Sequence, residues 1–314
     1  MSSRASSTRG LSRSGVDRSR SSPPVRIGVG VDGGSSGRDA VVLASQLARA
    51  TGAELMLIFA HEEPLLEPVV PAEMGWASAQ KQARATLSET RDSLAPEART
   101  VVHSDALVWR ALSRVAQQEH RDLLVLGSGR RARKGQLRLG ETAQELLCRL
   151  ECPLAIAPRD MRTRGPLRLE RIGVGFDDEP EARAALEMAG SLALAAGAEL
   201  EVRGVVDDRV SGGLTTEQIT LGGDEIVAKQ VRSLLNRALA AANATGARAR
   251  VDVTCGDPTN AVRALGADVD LLVIGSGSSG PGGRVCLGKT GRTVLDRASF
   301  SALVVPRPSD AAAL

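Results

Sequence analysis

Apolar positions along the chain follow two rhythms. Short unbroken runs rich in Val, Ile and Leu, such as RIGVGV, LMLIF and LLVL, alternate with longer Ala-rich stretches whose apolar positions recur with a helical period. In the first half this pattern predicts strands near 25–31, 54–60, 98–103, 122–127 and 153–157, with helices near 36–52, 76–94, 106–119 and 140–150. Strands near 170–176, 199–206, 248–255, 270–275 and 301–305 follow in the second half. An unbroken apolar run implies a strand buried on both faces. Such strands alternating with helices imply a parallel sheet covered on both sides, the doubly wound α/β class.

The two halves repeat each other. VRIGVGVD, ending at Asp32, returns as ERIGVGFD, ending at Asp177, and TGAEL at Thr51–Leu55 returns as AGAEL at Ala196–Leu200, both at an offset of 145. Further on, LLVLGSG (Leu123–Gly129) matches LLVIGSG (Leu271–Gly277), LRLGET (Leu137–Thr142) matches VCLGKT (Val285–Thr290), and AIAPR (Ala155–Arg159) matches LVVPR (Leu303–Arg307), at an offset of 148. The drift of three residues falls mid-unit, where a surface loop absorbs insertions. A unit of this size is a duplicated domain rather than a solenoid repeat. The chain divides into a tail over 1–24, a first five-stranded Rossmann-like domain over 25–160 and a second over 168–308.

In such sheets ligands bind beyond the carboxyl ends of the strands, where strand order reverses. Asp32 and Asp177 end the first strand of each copy, and a GSG loop follows each fourth strand, so the repeated polar features share one rim. Gly283 to Thr290 also spell G-x-x-x-x-G-K-T, the pattern of a phosphate-binding P-loop, in which loop N–H groups and a Lys meet phosphate oxygens. Its context is wrong for a nucleoside triphosphatase. The apolar run at Leu271–Ile274 ends well before Gly283, and too little chain follows Thr290 for further strand–helix units and a metal-binding Asp.

Composition narrows the classes. Aromatic residues make up 2% of the chain and Tyr is absent, which argues against a stacking platform for single-stranded nucleic acid. Residues 1–24 hold five arginines against one aspartate; with a net charge of +3 overall, the remainder stands at −1, and no specific nucleic-acid partner is expected. The Ser- and Arg-rich tail reads as a solvated extension without the apolar core of a secretory signal. No apolar run is long enough for a membrane span, so a cytoplasmic location is expected. The four cysteines, Cys148, Cys152, Cys255 and Cys286, have no zinc-like or CxxC spacing and read as small buried residues of a reducing compartment, with Cys148 and Cys152 four apart near the end of a predicted helix. His61, His103 and His120 have no counterparts in the second copy, and the repeated positions assemble no catalytic triad, so no enzyme activity and no metal site are expected.

On these residues the chain resembles a tandem universal stress protein: a strand ending in GVD, an Ala-rich helix, and a fourth strand followed by G-2x-G-9x-G-[ST], over about Val25 to Pro306. The resemblance implies two domains packed as a pseudo-dimer through their last strands. It also implies a role in the stress response and binding of ATP or another adenine nucleotide, with Mg, in those members that keep the motif. Gly127 and Gly140 fit in the first copy, but Arg130 replaces the second Gly and Glu141 the hydroxyl residue. Gly275 and Gly288 fit in the second, but Ser278 and Lys289 stand at the altered places. Both copies carry an additional Gly, Gly129 and Gly277, and both place a Thr, Thr142 and Thr290, one residue late. The implied nucleotide-binding residues are Asp177, Gly275, Ser276, Gly277, Gly288, Lys289 and Thr290, and in the first copy Asp32, Gly127, Ser128, Gly129, Gly140 and Thr142. Lys289 at a helix start favours an anion, whereas Glu141 at the equivalent start opposes a triphosphate or itself satisfies the helix end. The second copy is therefore expected to bind. The alternative is a protein-interaction module that holds no nucleotide, and an assembly of two tandem chains is a further expected partner state.

Overall fold

The computed structural model describes residues 23–62, 72–163, 168–207, 223–277 and 282–308. The N-terminal tail expected over 1–24 lies almost wholly outside them. The first domain runs β1 (Arg26–Gly30), α1 (Ser35–Thr51), β2 (Glu54–Glu62), α2 (Ala72–Leu94), β3 (Arg99–Asp105), α3 (Val108–Gln118), β4 (Leu123–Gly127), α4 (Glu141–Leu146) and β5 (Leu154–Ala157). A short 3₁₀ turn, Met161–Thr163, leads on to the second: β6 (Arg171–Phe176), α5 (Pro180–Ala196), β7 (Glu199–Asp207), α6 (Gly223–Ala244), β8 (Ala249–Gly256), α7 (Pro258–Asp268), β9 (Leu271–Gly275), α8 (Lys289–Leu295) and β10 (Ser301–Val305).

All ten strands form one sheet in the order β3-β2-β1-β4-β5-β10-β9-β6-β7-β8. Within each domain the pairs are parallel, as in Ile27 opposite Leu123 and Ile172 opposite Leu271. The one antiparallel pair is β5 with β10, Ala155 facing Leu303, and it joins the domains through their last strands about a pseudo-twofold axis. The seam is also continuous in its packing. Residues alternate across the strands, so that Val29, Ala155, Val174 and Leu303 meet one face with α1 and α5, while Leu124, Ile156, Leu272 and Val304 meet the other with α3, α4 and α8.

Local chemistry ends the helices. α1 stops where Gly52 takes a left-handed conformation (φ 71°) and donates its N–H to the Ala48 carbonyl; α5 begins with Pro180 in its first turn and stops at Gly197 in the same conformation. The helix expected over 140–150 is shorter, because Leu147 turns extended and Cys148 adopts a positive φ of 68°. The Cys148 N–H then leaves the helix ladder for the Val285 carbonyl of the other domain.

The cysteines correct the reading of four small buried thiols. Cys148 and Cys286 form a disulfide across the seam, with their Cα atoms 4.5 Å apart. Cys255 is exposed, and only Cys152 packs against a core cluster, where burial pushes its thiol up to about 12. Among the described residues no helix is long and apolar enough to cross a membrane.

Candidate functional site

The rim at the carboxyl ends of the strands carries the sequence-predicted residues, and the structure shows what each one touches. Asp32 is exposed just beyond β1. Its Oδ1 accepts from the N–H groups of Gly34 (2.9 Å) and Gly37 (3.3 Å), so it satisfies the start of α1. Asp177 is exposed beyond β6 and makes the smaller turn, accepting from Glu179 N–H at 3.2 Å. Its neighbour Asp178 takes a positive φ of 73° and pairs with Arg183 and with Arg237.

The GSG loops are close backbone crossings. A Cβ on Gly127 would collide with the Ser36 carbonyl, and one on Gly275 with the Glu181 carbonyl, so these glycines let the first helix of each domain approach the fourth strand. Gly129 lies against Gly140, where an added Cβ would stand 2.8 Å from the partner Cα; Gly277 lies against Gly288 in the same way at 2.6 Å. The two ends of the loop therefore meet in both copies. Gly129 N–H donates to the Arg138 carbonyl at 2.8 Å and Gly277 N–H to the Cys286 carbonyl at 2.6 Å.

The serines of both loops face inward. Ser128 Oγ donates to the Ala157 carbonyl at 2.9 Å, and Ser276 Oγ to the Val305 carbonyl at 2.7 Å while accepting from Cys286 N–H at 2.9 Å. Both are buried, tying the loop to the last strand of its own domain. The exposed polar surface of the rim comes instead from the first residue of the last helix, Glu141 in α4 and Lys289 in α8, each followed by its threonine, Thr142 half-buried and Thr290 exposed. The two domains thus present opposite charges at equivalent backbone positions. Among the described residues Lys289 forms no ion pair, leaving its ammonium free for an incoming anion.

The P-loop-like stretch is not a strand-to-helix turn. Gly283, with φ 77°, donates to the Arg307 carbonyl beyond β10, and Val285 N–H to Leu150 of the first domain, so this segment runs along the seam before α8 begins. Ser278 lies outside the described residues. The basic run Arg130, Arg131, Arg133 and Lys134 is exposed, and its backbone is held by Arg159, whose Nη1 donates to the Arg130 carbonyl at 2.6 Å. His61 sits at the end of β2, its Nδ1 3.4 Å from the Glu62 carbonyl. Among the described residues no three His, Cys, Asp or Glu side chains converge to hold a metal ion.

Sequence reasoning missed two buried locks that fix the first helices against the sheet. Asp39 of α1, fully buried, accepts from the Asp160 and Arg162 N–H groups at 2.8 and 3.0 Å and from the Arg162 guanidinium at 3.0 and 3.1 Å. In the second domain Glu181 pairs with Arg307 at 3.2 Å. An acid in the first turns of a helix is too ordinary a pattern to have signalled either.

No curated protein sequence matches the chain. Among solved structures, a universal stress protein from Archaeoglobus fulgidus DSM 4304 is 17% identical, with a TM-score of 0.64 over 92% of this chain and 99% of that one. A protein described as functionally unknown, from Pseudomonas aeruginosa PAO1, is also 17% identical, with a TM-score of 0.57 over 92% and 95%. At that identity the likeness is one of fold, and it includes the tandem arrangement, since each alignment spans both halves. The profile of the universal stress protein family matches residues 25–158 and again 168–306, once for each half of the sheet. With both halves matched and the shared fold in place, the chain belongs to the universal stress protein family.

Proposed function

We propose that this protein is a stress-response binding module that takes an adenine nucleotide at the rim of its second domain and not of its first. One observation carries the reading: the last helix opens with exposed Lys289 in the second domain and exposed Glu141 in the first, on backbones that otherwise superpose in their contacts. A polyphosphate chain placed at the start of α8 meets an ammonium, and the same chain at α4 meets a carboxylate. The donor set of the second domain therefore fits the group and that of the first does not. Asp177, exposed at the end of β6, stands where ATP-binding members of the family place their acid near the adenosine. A bound ATP would bring Mg on its own phosphates; Lys289 and the Thr290 hydroxyl bind and orient, and no residue is assigned to chemistry. The module acts in the cytoplasm on this reading, and the bound state alters its contacts with a protein partner.

The test is thermal unfolding with and without millimolar Mg-ATP. A ligand of the folded state at about a hundredfold above its Kd stabilises by roughly 2.7 kcal/mol. The rise in midpoint is expected to fall sharply in Lys289→Glu and to survive Glu141→Lys. A second reading has its own support. The Gly and Ser residues of both loops are fully engaged within the fold, so their presence requires no nucleotide, and a module that only contacts proteins retains them equally. An unchanged midpoint with ATP at any concentration selects that reading.

A further inference from the structure

The duplication places two equivalent stretches on opposite sides of the seam, and their side chains differ. At the offset of 148 that relates the ends of the two copies, Cys148 corresponds to Asp296 and Cys286 to Arg138. The backbone repeats across the pseudo-twofold: Val285 N–H donates to the Leu150 carbonyl at 2.8 Å on one side, and Leu137 N–H to the Ala298 carbonyl at 2.6 Å on the other. On the first side the disulfide fills the gap. On the second side the gap is a cavity of about 430 Å³ lined by Arg131, Arg133 and Arg138 of the first domain and by Asp296 and Arg297 of the second.

Four arginines line this space against one aspartate. Asp296 is already shared with Arg297, at 3.8 Å. Among the described residues Arg131, Arg133 and Arg138 form no ion pair. Arginines on an exposed loop are ordinarily just solvated. These differ in lining one concavity from two domains, where their mutual repulsion is relieved by an anion. The guanidinium fork matches pairs of phosphate oxygens, and the volume falls within the range of about 300–1,000 Å³ of small-ligand sites.

We propose that this interdomain cavity is a second anion site, distinct from the rim of the second domain, and that it binds the linked phosphates of a di- or triphosphate. Arg133 and Arg138 grip the chain from the first domain and Arg297 closes on it from the second, so occupancy ties the two domains together opposite the disulfide. The phosphate chain can come from free polyphosphate or from a nucleotide.

The experiment is calorimetric titration of the full chain with sodium tripolyphosphate, without Mg, at about 0.15 M salt. Saturable binding that weakens as salt rises is expected, at one site per chain once Lys289→Glu has removed the rim lysine. It should be retained in Lys289→Glu, reduced by about tenfold or more in the double variant Arg133→Glu/Arg138→Glu, and strengthened in Asp296→Asn. In the Lys289→Glu chain, competition by ATP at an affinity equal to tripolyphosphate identifies the phosphate chain as the whole ligand, and tighter ATP binding identifies a nucleotide. Absence of saturable binding overturns the proposal. So does binding that is lost in Lys289→Glu but untouched by the double arginine variant, which places the anion on the rim instead. If circular dichroism shows the double variant unfolded, Asp296→Asn decides, and an affinity unchanged by removing that carboxylate refutes the site.

Discussion

The disulfide between Cys148 and Cys286 closes a loop of 138 residues, and the cost of losing it follows from that separation. A cross-link stabilises mainly by removing conformations from the unfolded chain, and for a loop of this length the chain-entropy relation gives about 5 kcal/mol at 25 °C. The folded state keeps most of its seam without the bond. The β5–β10 pairing, the core shared across it and the Val285 to Leu150 hydrogen bond are all independent of sulfur. Reduction is therefore expected to leave the secondary structure intact while lowering the unfolding midpoint by roughly 8 °C for a chain of this size unfolding as one unit. Scanning calorimetry of the oxidised and dithiothreitol-reduced protein, beside the Cys148→Ser/Cys286→Ser double variant, measures it. The double variant should match the reduced protein and ignore reductant. Peptide mapping that finds both thiols free in protein purified without reductant refutes the pairing. A mapped bond whose reduction leaves the midpoint unchanged refutes the entropic argument.

Two further predictions concern buried groups. Asp39→Ala removes a fully buried carboxylate from two N–H groups and the Arg162 guanidinium, and Arg162, partly exposed, keeps Asp160 at 3.0 Å. The expected loss is about 3 kcal/mol in urea unfolding, with Asp39→Asn intermediate; a loss under about 1 kcal/mol contradicts the lock. Cys152 and Cys255 should separate in thiol labelling at pH 8, the exposed Cys255 reacting at once and Cys152 only after unfolding. Because folding raises the Cys152 pKa, its contribution to stability is complete below the unfolded thiol value of about 8.5 and is lost as pH climbs from there towards about 12. A Cys152→Ala chain should lack that alkaline loss.

The fold was legible because it is written twice. The central strands β1, β4, β5, β6, β9 and β10 are largely apolar runs, and all ten observed strands begin and end within about two residues of those expected. The helix before β5 was read too long because nothing in LLCRLE announces that Cys148 will turn to a positive φ; the cause is a carbonyl in the other domain, 137 positions away. The same limit applies to the site. The motif located the GSG loops, yet a sequence cannot say whether a glycine makes room for a ligand or for its own backbone, and here Gly129 and Gly277 make room for Gly140 and Gly288. Nor does spacing reveal that Cys148 meets Cys286 or that Arg138 borders the cavity of Asp296, since those pairs are set by the seam rather than by the chain.

Joining β5 to β10 within a single polypeptide has a consequence for how that seam can change. In a dimer of identical subunits every contact across the twofold axis occurs twice, and one substitution alters both copies, so its benefit and its damage are doubled. Covalent fusion lifts this constraint. A residue gained on one flank of the axis is gained there alone, and a cystine can hold one flank while the other keeps an aspartate beside an arginine. Two ends of one interface have thereby become free to acquire different tasks, a hinge pin on one side and an opening on the other.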